Sequence, residues 1–160
     1  MSATVTTNEI TIERIFDAPI ELVWRAWTVP EHFKKWWGPK IFTCPVCEID
    51  LRVGGKFLWA MRWPDGRDNF NTGEYLELVP MKKIVFTNKF SDPDGNVVPA
   101  SYYGLPGEFP GDMITYVEFE DLNGKTKMTL HHTGLPGGEM SEMTKQGWNE
   151  SLDKLADSLR

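Results

Sequence analysis

The sequence predicts an α+β domain, an antiparallel sheet with helices packed on one side. Three observations carry that reading. Phe57, Trp59, Met61 and Trp63 alternate along Lys56–Trp63; strand side chains point to opposite faces with period two, so these four large groups share one face. Lys56, Leu58, Ala60 and Arg62 form the smaller, more polar face. From Phe42 to Thr133, strand-like segments follow one another through mostly short Gly-, Pro- and Asp-containing turns, the pattern of hairpins rather than parallel crossovers. After Gly134-Leu135-Pro136-Gly137-Gly138 the period changes, and Trp148, Leu152, Leu155, Ala156 and Leu159 recur at helical spacing.

Taken in order, residues 1–8 are polar and Thr-rich and read as a flexible tail ahead of a single domain over 9–160. Glu9–Phe16 alternates as a first strand. Asp17-Ala18-Pro19 opens a helix, with Asp17 as its cap and Pro19 in its first turn. Leu22, Val23, Ala26 and Trp27 form its apolar face, and it ends near Thr28. Pro30 opens a second short helix, Glu31–Trp37, closed by Gly38-Pro39. Strands follow at Phe42–Arg52, Lys56–Trp63, Asn69–Val79, Lys83–Phe90, Met113–Glu120 and Thr126–Thr133. Ile84, Phe86, Asn88 and Phe90 share a face of their strand. A final helix runs from about Ser141, its cap, to Leu159. Ser91–Gly111 is a long loop carrying Tyr102, Tyr103, Leu105 and Phe109, and loops of that length are usually functional or mobile.

Register decides which face is loaded. A three-residue Val53-Gly54-Gly55 loop pairs Leu51 with Phe57, Ile49 with Trp59 and Cys47 with Met61. A two-residue Gly54-Gly55 loop sets Arg52, Asp50 and Glu48 beside those aromatics instead, because a one-residue slip turns every side chain over. The three-residue loop keeps apolar against apolar and is the expected one.

With 160 residues the chain can bury a core without staples. Its net charge of −6 argues against a phosphate-binding surface and so against a nucleic-acid partner. No apolar run approaches the roughly 20 residues of a membrane span, so no membrane insertion is expected. The polar start lacks signal-peptide regions, which makes the cytoplasm the expected location. Cys44 and Cys47, three apart in an extended strand, sit near 10 Å, beyond the roughly 7 Å reach of a disulfide. No helix follows them to lower a thiol pKa, and zinc would need two further ligands where only His32 and His131 are loose candidates. No metal or cofactor is therefore expected. Nucleophile-elbow, phosphate-loop and dinucleotide fingerprints are missing.

Asp17-Ala18-Pro19, Trp24-Arg25-Ala26-Trp27-Thr28 and Trp36-Trp37-Gly38-Pro39 resemble the opening of the SRPBCC (START/Bet v 1-like) superfamily, within it the Hsp90-ATPase-activator-homologue-like group. Asp50-Leu51-Arg52-Val53-Gly54-Gly55, Gly73-Glu74-Tyr75 and Gly147-Trp148-Asn149-Glu150-Ser151-Leu152-Asp153-Lys154-Leu155 extend the likeness over nearly the whole chain. The resemblance implies a helix-grip fold: a curved antiparallel sheet wrapped around a long C-terminal helix, with two short helices after the first strand. It also implies a cavity between sheet and helix that holds hydrophobic small molecules in many members. Others are cyclases or Hsp90 co-chaperone domains, so the family fixes architecture better than activity. The long 91–111 loop with Tyr102-Tyr103 is a departure that bears on the cavity mouth.

On that fold the expected ligand-binding set is Trp59, Met61, Phe86, Asn88, Phe90, Tyr103, Met113, His132, Met143 and Trp148. Phe57, Trp59, Met61 and Trp63 either line the cavity or pack as core against Trp148 and Leu152. His132 shares parity with Met128 and Leu130 and points inward, while His131 goes with Lys127 and Thr129 toward solvent. An inward His is a general acid/base, a ligand-orienting group or a hydrogen-bonded interior residue. With no carboxylate nearby in sequence to make a dyad, the hydrogen-bonded interior reading is the expected one and no catalytic residue is assigned; in the enzyme alternative His132 and a Tyr would be the acid/base groups. Lys145, Glu150, Asp153 and Lys154 form the solvated face of the last helix. Arg14 and Arg52 reach a ligand carboxylate or make surface ion pairs. The leading expectation is a carrier of a hydrophobic small molecule. Its alternatives are a cyclase- or hydrolase-type enzyme using the same cavity and a chaperone-interaction module; a chaperone partner and a homodimer are secondary expectations.

Overall fold

The computed structural model describes residues 8–104, 113–135 and 138–159. The elements are β1 (Asn8–Phe16), α1 (Ile20–Thr28), α2 (Pro30–Phe33), β2 (Cys47–Ile49), β3 (Lys56–Arg62), β4 (Asp68–Val79), β5 (Lys83–Ser91), β6 (Met113–Asp121), β7 (Thr126–Leu135) and α3 (Gly138–Ser158). Seven strands form one curved antiparallel sheet in the order β1-β7-β6-β5-β4-β3-β2. The chain thus enters at one edge and crosses to the other through α1 and α2. It then walks back by hairpins until β7 lies beside β1. Tail positions 1–7, and Leu105 and Phe109 of the long loop, lie outside the described residues.

The element order matches the sequence expectation, with local corrections. Asp17 does not cap α1: Pro19 holds the N-cap position in extended geometry, with no side-chain cap bond. Leu22 is half-exposed, because α1 turns Ile20, Val23, Trp24, Ala26 and Trp27 inward instead. That rotation sets Trp24 edge-on against Phe119 of β6 at 5.8 Å. The α2 helix stops at Phe33 and continues as turns, and Trp36 Nε1 donates back to Ala26 O at 2.8 Å. The helix α3 begins at Gly138, so Ser141 is a buried residue inside it and not its cap.

The β2–β3 pairing is Cys47 with Trp59, Glu48 with Leu58 and Ile49 with Phe57. This keeps the expected faces but shifts the register by two residues, leaving Leu51 exposed in the connection. The cause lies in β4. Gly54 N donates to Tyr75 O at 2.8 Å and Tyr75 N to Gly55 O at 2.9 Å, so the Gly-Gly pair extends the β3–β4 ladder and is not free to close a tight loop. The predicted Phe42–Arg52 strand shrinks accordingly to β2 and a lone Thr43–Arg62 bridge.

Candidate functional site

The concave face of β3 and β4 grades from packed to open. Along it Phe57 pairs with Gly73, Trp59 with Asn71 and Met61 with Asn69. At the Phe57 end aromatic rings close the interior. Trp59 stacks on Phe57 at 3.8 Å and lies 4.5 Å from both Phe33 and Trp37, with Phe86 at 5.5 Å. Past Trp59 the packing opens into a cavity of about 280 Å³.

Its sheet wall carries Met61, Trp63, Asn69, Asn71, Asn88, Phe90, Met113 and His132. Across from it stand Trp37, Gly38, Pro39 and Phe42 after α2, and Met143, Thr144, Gly147, Trp148 and Ser151 of α3. Exposed Met143 and half-buried Met61 and Trp63 mark the rim, with Asn71, Asn88 and His132 buried deeper.

Seven of the ten expected ligand-binding residues therefore face one space: Met61, Asn88, Phe90, Met113, His132, Met143 and Trp148. Three do not. Trp59 and Phe86 are core: Phe33 and Trp37 cover Trp59, and Phe86 is enclosed by the rings of Trp27, Phe57, Trp59 and Tyr75. Tyr103 belongs to a short 3-10 turn, Ala100–Tyr103, and pins the long loop to the sheet. Its hydroxyl accepts from Phe70 N at 3.0 Å and donates to Ser91 O. Sequence reasoning missed Trp37, Phe42 and Asn71. For Asn71 the signal was a polar amide on the β4 face that also carries Tyr75; the other two lie in irregular chain, where periodicity says nothing.

Polar groups in the cavity are few and specific. Asn71 Nδ2 donates to Asn88 Oδ1 at 3.1 Å across β4 and β5. Trp148 Nε1 donates to His132 Nδ1 at 2.9 Å, which places the hydrogen of the neutral ring on Nε2. His132 Nε2 and Thr115 Oγ1, on directly paired positions of β7 and β6, have no protein partner among the described residues. Burial, with a smaller push from His131, lowers the His132 pKa from 6.5 to about 4, so it is neutral at pH 7. His131 faces outward as expected, bonded to Thr11 Oγ1 at 2.9 Å and near Glu9 Oε2 at 3.2 Å.

Two charged residues take other roles than sequence alone suggested. Lys154 is not on a solvated face: its ammonium donates to Pro39 O at 3.1 Å and Phe42 O at 2.9 Å. Lys40 N donates to Glu150 Oε1 at 3.0 Å beside it, so α3 holds the cavity's front wall. Arg14 pairs with Asp153 at 2.8 Å and donates to Asn149, tying β1 to α3. Arg52 pairs with Asp50 at the surface. Cys44 and Cys47 are both free and buried, and burial pushes both thiols up, Cys44 to about 11. Among the described residues no three His, Cys, Asp or Glu side chains converge as a metal site.

A curved antiparallel sheet closing on a C-terminal helix, with a cavity between them, is the helix-grip architecture of the SRPBCC superfamily. The chain belongs to the family described as activator of Hsp90 ATPase homolog 1-like protein, which matches residues 17–160. Among solved structures, a Chromobacterium violaceum protein is 33% identical, with a TM-score of 0.78 over 95% of this chain and 96% of that one. A Nitrosomonas europaea protein is 26% identical, with a TM-score of 0.74 over 94% and 93%. A Silicibacter pomeroyi protein titled AHSA1 shares the fold at 24% identity, with a TM-score of 0.75 over 95% and 97%. No curated protein matches the chain. The family fold is that of a ligand-binding or Hsp90 co-chaperone-like module. None of the described helices is long and apolar enough to cross a membrane.

Proposed function

We propose that the protein binds a small hydrophobic molecule in the cavity between the sheet and α3. The observation that carries this reading is the cavity itself: about 280 Å³ walled by Trp37, Phe42, Met61, Trp63, Phe90, Met113, Met143 and Trp148. Small-molecule sites are mostly apolar clefts of roughly 300–1,000 Å³ with a few placed polar groups. Just below that range, the volume suits a compact ring system better than a long acyl chain. Three methionines at the wall adapt their shape, and the aromatic rings favour planar ligands.

Binding is favoured over turnover because His132, the histidine candidate for acid/base work, is a poor base at pH 7. Its pKa of about 4 leaves it little proton affinity, and Trp148 already occupies Nδ1. The direct test is native mass spectrometry of the purified chain with a panel of neutral polycyclic compounds, paired with Met61→Trp, which fills the rim. Binding that weakens at least about tenfold in the variant supports the cavity as the site. Equal binding by both forms places the ligand elsewhere. The chaperone reading draws on the family description. It predicts that the chain stimulates Hsp90 ATPase activity, and no stimulation at saturating protein removes it.

A further inference from the structure

We infer that the cavity selects an uncharged ligand carrying a hydrogen-bond donor and acceptor side by side, such as a primary amide, on an aromatic body. This rests on the cavity-binding reading above and adds the ligand's polar chemistry. None of the described lining residues is charged at neutral pH: the polar ones are three asparagines, a threonine, a serine and a neutral histidine. A carboxylate or ammonium brought there loses its hydration and gains no counterion, so the charged form is disfavoured. Lys154, the basic residue against the front wall, spends its ammonium on two backbone carbonyls.

The Asn71–Asn88 pair supplies the complementary group. Each amide has one NH2 and one carbonyl. Their mutual bond at 3.1 Å uses one donor and one acceptor, leaving an NH2 on one asparagine and a carbonyl on the other. Turning both amides over exchanges the two roles but leaves the same donor–acceptor couple, so the conclusion is independent of that assignment. Both side chains are buried, so a purely hydrocarbon ligand would leave those groups facing apolar surface, whereas an amide completes them. His132 Nε2–H, fixed as a donor by the Trp148 bond, is itself enclosed, so the polar contact to the ligand falls to the asparagine pair.

The test titrates the full chain with 2-naphthamide, 2-naphthoate and 2-methylnaphthalene at pH 7. The signal is tryptophan fluorescence, since Trp37, Trp63 and Trp148 line the cavity. Naphthamide should bind at least about tenfold tighter than methylnaphthalene and roughly 100-fold tighter than naphthoate. The double variant Asn71→Leu/Asn88→Leu removes both partners together, so no orphaned amide remains, and its amide preference over methylnaphthalene should fall to within about threefold. If it does not melt cooperatively, Asn88→Ser should still lower the preference by at least about threefold. Naphthoate binding as tightly as the amide overturns the inference while leaving a binding cavity. So does methylnaphthalene binding as tightly, or a preference that survives the substitutions. Failure of all three compounds to bind removes the carrier reading as well.

Discussion

His132 is held neutral by where it sits, and that gives a pH dependence with a definite sign. Its pKa falls from 6.5 to about 4 on folding, chiefly through burial. Between those values the unfolded chain takes up a proton that the folded one refuses, so stability is lost as pH falls from 6.5 toward 4. The gap corresponds to about 3 kcal/mol if fully expressed. In urea melts at pH 7, 5.5 and 4.5, His132→Gln should lose less stability on acidification than the native chain; parallel losses would show that His132 is not desolvated. The thiols carry the opposite sign. Cys44 rises from 9.0 to about 11, so its burial stabilises the fold below pH 9 and that contribution is lost as pH climbs toward 11. At pH 8 both cysteines should resist alkylation by iodoacetamide in the folded chain and react within minutes in denaturant. Fast labelling of either in the native state would contradict the burial. His132 was legible as an inward residue from strand parity, because parity is a property of the local chain. Its low proton affinity was not, because desolvation depends on what packs around it from β6 and α3.

Gly73 makes one element contact that no other residue would allow. A Cβ there would lie 1.9 Å from Thr87 O and 2.6 Å from the Phe57 ring, so the Phe57 ring and the β5 backbone both crowd onto a bare Cα. Gly73→Ala should destabilise the protein by about 2–4 kcal/mol in urea melts, since β4 must move from one neighbour or the other. A loss under about 0.5 kcal/mol would mean that the strands separate easily. At the front wall of the cavity, Lys154 links α3 to the backbone of Pro39 and Phe42. Lys154→Met keeps most of the stem packing and removes both bonds. It should cost about 1–3 kcal/mol and speed amide exchange across 38–42, whereas unchanged exchange would show the wall is held by packing alone. Element type and order were readable because periods of 2.0 and 3.6 are local. The β2–β3 offset was not readable: a shift of two residues preserves every face, and the deciding bonds came from Tyr75, twenty residues on.

At the scale of the whole molecule, the alternating face of β3 serves two purposes. Phe57 and Trp59 complete a core shared with Phe33, Trp37 and Phe86, while Met61 and Trp63 continue the same face into open volume. Alternation could place all four on one side but could not say where packing stops. That boundary is drawn by α2 and the turn after it, which fill the space over Trp59 and leave Met61 uncovered. The division predicts a separation of effects. Truncating a core member should cost stability without touching the cavity's chemistry, and truncating a rim member should do the reverse. Trp59→Leu is expected to lose about 2–4 kcal/mol in urea melts, in the range of large core truncations. Trp63→Leu, with its ring half-exposed against Phe42 at 4.6 Å, should lose less than about 1 kcal/mol while weakening naphthamide binding several-fold. If Trp63→Leu costs as much stability as Trp59→Leu, the rim is structural and the face is a continuous core. If it leaves both stability and naphthamide affinity unchanged, Trp63 plays no part in binding and the recognition surface lies deeper, with Asn71 and Asn88.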